Sequence, residues 1–138
     1  PEYNDAMTKF VSDYYSYASS EFRHLEMQKP KPRPAGSSWI EFYPKSLKKN
    51  MSLVRQLNSG FIKVFFYGQA ESIEILQEKY KSRLPPHTSI DVAGKSVAIS
   101  KDVPKLDPLT NTFSDEKEKV RQALLGLSTL EKLVSEID

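Results

Sequence analysis

Cysteine is absent from the 138 residues, which excludes disulfides and thiolate zinc sites and fits a cytoplasmic location. Histidine is nearly absent: His24 falls near the end of an apolar-periodic stretch and His87 beside a double proline. Neither has a second histidine or a carboxylate at ligand spacing, so both read as surface or capping residues and no metal is expected. Glycine is scarce, its five copies scattered at expected turns, and they form neither a G-x-G-x-x-G nor a P-loop. There is no G-x-S-x-G motif and no thiol nucleophile. No apolar run approaches the ~20 residues of a membrane span and no signal-peptide pattern opens the chain, so no membrane partner is expected.

The acids that remain do not make a reaction centre. Glu41, Asp91 and Asp102 fall near strand ends without partners at a telling spacing. A carboxylate-x-lysine pattern occurs only as Asp115-Glu116-Lys117, at a helix start, whereas metal-dependent nuclease chemistry wants it on a central strand beside another acid. No catalytic residue and no cofactor is assigned, and the chain reads as non-catalytic.

What is present is a soluble-type composition, 38% apolar and 28% charged, of a length suited to one domain. Its net charge of +2 hides an uneven distribution: residues 29 to 63 hold eight basic side chains against the single acid Glu41, a local excess of seven. Clustered cations point to nucleic acid; an equally common reading is a solvated lysine-rich edge that discourages sheet aggregation. The chain opens on Pro1 without an initiator methionine, which suggests a piece of a longer protein or a trimmed product.

Met7, Phe10, Val11, Tyr14, Tyr17, Ala18, Phe22 and Leu25 recur at helical steps behind the N-cap candidate Asn4, predicting a helix of about five to six turns. Pro30, Pro32 and Pro34 then stop any helix and make K-P-K-P-R-P a stiff, extended connector over 29–38. Ala35-Gly36-Ser37-Ser38 turns the chain into a strand from Trp39 to Tyr43, with Trp39 expected in the core.

Residues 51–57 and 61–68 flank Asn58-Ser59-Gly60, a three-residue hairpin loop with glycine where φ is positive. That loop pairs Leu57 with Phe61 and sets Arg55 opposite Lys63, a like-charge pair that Glu41 or an anionic ligand must offset. A one-residue slip would dissolve the pair. Both faces of the hairpin are mostly apolar, so the sheet is expected to be covered on each side or to bury one side against a partner.

A helix over 71–84, a second hairpin around Ala93-Gly94-Lys95 and a final helix capped by Ser114 or Asp115 complete the chain. Gly126 interrupts that last helix, which suggests close packing there. The expected fold is a single α+β domain over 1–138 with one mainly antiparallel five-stranded sheet, in the order α-β-β-β-α-β-β-α.

The segments R-P-A-G-S-S-W-I-E-F (33–42), L-V-R-Q-L-N-S-G-F-I-K-V-F-F-Y-G (53–68), A-G-K-S-V-A-I (93–99) and V-P-K-L (103–106) resemble the C-terminal part of bacterial PD-(D/E)XK nuclease-like proteins, many of them linked to restriction and phage defence. The resemblance implies an accessory domain that helps hold DNA or mediates assembly. The catalytic acids and lysine of such proteins lie in an N-terminal part, so none is carried over to this chain.

The residues expected to contact DNA or RNA are Lys29, Lys31, Arg33, Lys45, Lys48, Lys49, Arg55 and Lys63, with Trp39, Phe42 and Tyr43 between the basic clusters as stacking candidates. The rival expectation is a protein-interaction or dimerisation module. Its second sheet face would dock an N-terminal domain of its own chain or a second copy.

Overall fold

A computed structural model describes residues 3–34 and 39–138; the expected turn at Ala35-Gly36-Ser37-Ser38 lies outside them. Helix α1, Asp5–Glu21, is capped by Asn4, whose side chain accepts from the Met7 amide at 2.9 Å. It ends one turn earlier than the apolar spacing predicts, because Phe22 leaves helical geometry and Arg23–Leu25 forms a 3-10 turn. Phe22 and Leu25 still reach the core from there.

Strands β1 (Trp39–Phe42), β2 (Met51–Gln56) and β3 (Phe61–Phe66) follow, then helix α2 (Ile73–Tyr80), strands β4 (Thr88–Ala93) and β5 (Ser96–Asp102), and helix α3 (Phe113–Ile137). The order is the expected one, and the five strands form a single antiparallel sheet arranged β1-β2-β3-β5-β4. Helix α2 is shorter than the 71–84 expected; a 3-10 turn at Ala70–Ser72 precedes it. Helix α3 is capped two to three residues earlier than Ser114 or Asp115: Thr112 accepts from the Asp115 amide and the Asp115 carboxylate accepts from the Thr112 amide, each at 3.2 Å. This reciprocal pair satisfies two otherwise orphaned amides.

The three helices lie on one face of the sheet. Met7, Phe10 and Tyr14 of α1, Leu76 and Tyr80 of α2, and Val120, Leu124, Leu127 and Leu130 of α3 share one core with Ile40, Phe42, Leu53, Ile62, Val64, Phe66 and Ile99 of the strands. Helix α3 approaches β3 closely because Gly126 has no side chain: a Cβ there would lie 2.7 Å from Ile62 Cδ1. Gly126→Leu is therefore expected to cost about 1–3 kcal/mol through overpacking. Gly126→Ala meets only the tip of a flexible side chain, so ~1 kcal/mol of gained helix propensity offsets the rotamer shift. Thermal unfolding of the two variants should separate them clearly.

At its far end α3 is held by Asp138, whose carboxylate accepts from both Lys79 Nζ and Tyr80 Oη of α2. Burial pushes the Asp138 carboxyl up, but these hydrogen bonds outweigh it and hold the group below its ordinary range.

The chain itself covers part of the β1 rim and touches the β4 rim at one carbonyl. Along β1, Met27 bridges Phe42, the Gln28 amide donates to the Glu41 carbonyl at 2.8 Å and the Tyr43 amide to the Glu26 carbonyl at 3.1 Å. Along β4, Gln77 Nε2 of α2 donates to the Ile90 carbonyl at 3.2 Å.

The central hairpin departs from the expected register by one residue. Gln56, not Leu57, pairs with Phe61, so the loop spans four residues, 57–60, and Leu57 turns into the core. Arg55 consequently faces Ile62, while Lys63 faces Val54 on the opposite side of the sheet. The expected like-charge pair does not exist. The slip exchanges the faces of β2 relative to β3, which is why one residue of loop length decides where every side chain points.

Candidate functional site

Arg55 is fully buried at 0% exposure and belongs to the core face. Its Nη1 donates to the Gln56 carbonyl at 2.9 Å and, more distantly, to Phe61 at 3.4 Å; Nη2 donates to the Pro104 carbonyl at 2.8 Å. A cation so enclosed needs this cage of acceptors, and burial lowers its pKa. Tyr14 of α1 lies beside it, close enough to feel the charge but without a hydrogen bond of ordinary geometry. Burial pushes the Tyr14 hydroxyl up to about 12, against the pull of the guanidinium. Arg55 is thus a structural cation, and its assignment as a nucleic-acid contact is corrected.

The remaining expected contacts do not form one cluster. Lys45 approaches Glu26 at 4.0 Å and lines a shallow groove with His24 and Glu131, on the helix side of the molecule. Lys48 lies near Asp138, again among the helices, and its charge helps to lower that carboxyl. Lys49 is exposed in the turn before β2. Lys29 and Lys31 are exposed in the connector that leaves the β1 rim, and Arg33, further along it, is half-buried. The Arg33 guanidinium donates to the Trp39 carbonyl at 2.5 Å. Burial lowers its pKa and the nearby Glu41 charge raises it.

Lys63 points to the sheet face that carries no helix among the described residues. In register, that face is built from Trp39 and Glu41 of β1, Ser52, Val54 and Gln56 of β2, Phe61, Lys63 and Phe65 of β3, and Ala98 and Ser100 of β5. Tyr43 and Tyr67 follow one residue beyond the ends of β1 and β3. Period-2 alternation therefore sets Phe61, Lys63, Phe65 and Tyr67 in a column along the central strand. The Lys63 ammonium lies 4.4 Å from the Phe61 ring centroid and 5.5 Å from that of Phe65. Phe65 and Tyr67 are near parallel, 8° apart with centroids at 5.7 Å, and Trp39 meets Phe61 edge-on at 5.8 Å.

Trp39 is 42% exposed, Tyr43 45% and Tyr67 43%, so the expectation that the single tryptophan packs in the core is corrected. Its strand phase explains this: Ile40 and Phe42 take the core positions, which sends Trp39 outward with Glu41. The neighbours of the column are small. Ser52, Val54 and Ala98 are buried yet stand outside the helix-side core, shielded by the taller rings around them. Ser52 Oγ and Tyr67 Oη are 2.6 Å apart, which anchors one end of the column. Tyr43 Oη donates to Glu41 at 2.5 Å, and that hydrogen bond, with some burial, pushes the Tyr43 hydroxyl up to about 12.

Charge on this face is divided. Lys63 is the cation in the register of this face, and Glu41, bonded to Tyr43, is the acid of its β1 edge. Lys29, Lys31 and Arg33 stand in the connector beyond the β1 rim, which is tied to the start of α1: the Arg33 amide donates to Thr8 Oγ1 at 3.0 Å and its carbonyl accepts from the Asn4 amide at 2.7 Å. Among the described residues Lys63 forms no ion pair. On the β5–β4 side the outward acids are Asp102 and Asp91. Among the described residues no three acids or histidines gather at metal-holding distance, and no helix is long and apolar enough to cross a membrane. His24 is exposed and hydrogen-bonded to Ser128 Oγ at 3.0 Å; His87 is exposed at φ +62° in the turn before β4.

The aromatic column was legible in principle. Lys63 is two residues from both Phe61 and Phe65, and an outward lysine on a strand carries its i±2 neighbours with it. The chain matches no protein-family model, no curated protein and no solved structure.

Proposed function

We propose that this chain is a non-catalytic nucleic-acid-binding module, the accessory part of a larger nuclease-like protein, and that contact is made on the helix-free sheet face. The observation that carries the reading is Lys63, an ammonium that forms no ion pair among the described residues and lies over the rings of Phe61 and Phe65, with Tyr67 stacked on Phe65 beyond it. Lys29, Lys31 and Arg33 in the neighbouring connector extend that positive charge beyond the β1 rim. Lysine supplies the phosphate contact and the rings supply sequence-tolerant stacking. The parent protein follows from the resemblance of residues 33–106, and its substrate from the surface just described.

The test is retention of the purified chain on immobilised DNA or RNA as salt is raised. Three to four phosphate contacts predict that affinity falls about 20- to 50-fold for a single strand, and about 40- to 150-fold for B-form duplex, between about 50 and 200 mM salt. The triple variant Lys29→Glu, Lys31→Glu, Lys63→Glu should lose retention at low salt. Lys45→Glu with Lys48→Glu, on the helix side, should retain it. Equal losses in the two variants, with both folded, would refute this placement of the surface.

A further inference from the structure

We infer, building on that reading, that the nucleic acid taken by this face is single-stranded, with unpaired bases lying against the rings of the β3 column and Trp39. Duplex is disfavoured by shape. The major groove is about 12 Å wide and admits a helix or a two-stranded ribbon. The column runs down the central strand of five, with neighbours on each side at about 4.8 Å spacing, so the sheet is too broad to follow it into a groove.

Spacing points the same way. Successive outward residues of a strand are about 6.7 Å apart, roughly twice the 3.4 Å step of stacked bases in a duplex. Rings at that interval suit bases that have left their own stack. The parallel Phe65–Tyr67 pair, with Tyr67 43% exposed, presents a ring on which an added base extends an existing stack. Sheets that read single-stranded RNA likewise use aromatics on their exposed strands.

Charge selects the occupant and its path. The Lys63 ammonium, over two aromatic rings and in no ion pair among the described residues, suits a phosphate. A second copy docked face to face would bury two such ammoniums in one interface, a costly arrangement. Asp102 of β5, directly opposite Phe61, and Asp91 of β4 repel a polyanion from the β5–β4 half of the face, so the strand is steered over β1 to β3.

Trp39 is the only tryptophan, so its fluorescence reports on this face without a label. Titration with a short oligothymidylate at about 50 mM salt should quench it, and the same length of duplex should bind at least about tenfold more weakly. Tyr67→Ala, at an exposed position, and Phe65→Leu, which keeps apolar bulk but removes the ring, should each weaken single-strand binding by about 5- to 150-fold. Circular dichroism and a single cooperative unfolding transition for Tyr67→Ala, at a midpoint lowered by loss of the Ser52 hydrogen bond, would establish that the variant is folded.

Equal binding of duplex and single strand, unaffected by either substitution, would overturn the single-strand inference and leave nucleic-acid binding standing. No binding of either at low salt would overturn both. Concentration-dependent dimerisation that shifts the Trp39 emission would also overturn it, by identifying the occupant as a second copy.

Discussion

Arg55→Ala is expected to lower stability by about 3–5 kcal/mol, read as a fall in the urea midpoint with little change in slope. The loss has two parts. The carbonyls of Gln56, Phe61 and Pro104 lose their guanidinium donor, and a large side chain at 0% exposure leaves a void beside Tyr14. For a domain whose total stability is about 5–15 kcal/mol, such a loss decides whether it folds at all. Arg55→Met, which refills most of the volume but donates no hydrogen bond, should fall between the parent and alanine. Its affinity for nucleic acid per folded molecule should be unchanged, because the guanidinium never reaches the surface. A variant that keeps its midpoint but loses binding would show that Arg55 points outward after all.

Gly60→Ala is the second large effect, at about 2–4 kcal/mol. Gly60 adopts φ +72°, a left-handed conformation that costs other residues about 1–3 kcal/mol. A Cβ there would also lie 2.7 Å from the Val103 carbonyl oxygen and 3.1 Å from the Lys105 backbone nitrogen. Backbone does not yield as a side-chain tip does. That segment is itself tied to the hairpin loop, through Val103 N to the Gly60 carbonyl at 2.8 Å and Leu106 N to the Leu57 carbonyl at 2.9 Å. Pushing residues 103–105 away also moves the Pro104 carbonyl that Arg55 needs. The two substitutions therefore share a cause, and the double variant should cost less than the sum of the singles. Strict additivity in urea unfolding would show that loop and cation are independent.

The order of helices and strands was legible because each element carries its own period and its own punctuation. Asn4 marks the start of α1, Gly60 and Gly94 adopt the positive φ their turns require, and prolines bound several segments. The central register was not legible, for a physical reason. Residues 61–66 are apolar at five of six positions, so hydrophobic pattern weighs both phases almost equally. The observed phase buries Leu57 and meets Arg55 with carbonyls partly drawn from far along the chain, neither of which the local pattern displays. An arginine in a strand reads as outward unless its acceptors are known. Of the eight cations named from the sequence, Lys63 joined the aromatic face and Lys29, Lys31 and Arg33 stayed in the connector beside its β1 rim, while Lys45 and Lys48 went to the helix side. A local count of charge says nothing of direction. The exposure of Trp39 was within reach: it lies two residues from Glu41 and so shares its side of the strand.

The covered β1 rim has a consequence for how this molecule meets others. Met27 and Gln28 have taken main-chain positions outside β1. A border engaged in this way offers little template for an intruding strand, which guards against runaway polymerisation along that side. It also denies a visitor there the generic grip of backbone on backbone. What settles beside β1 is recognised by the side chains standing on the face, and its selectivity is written in those few residues.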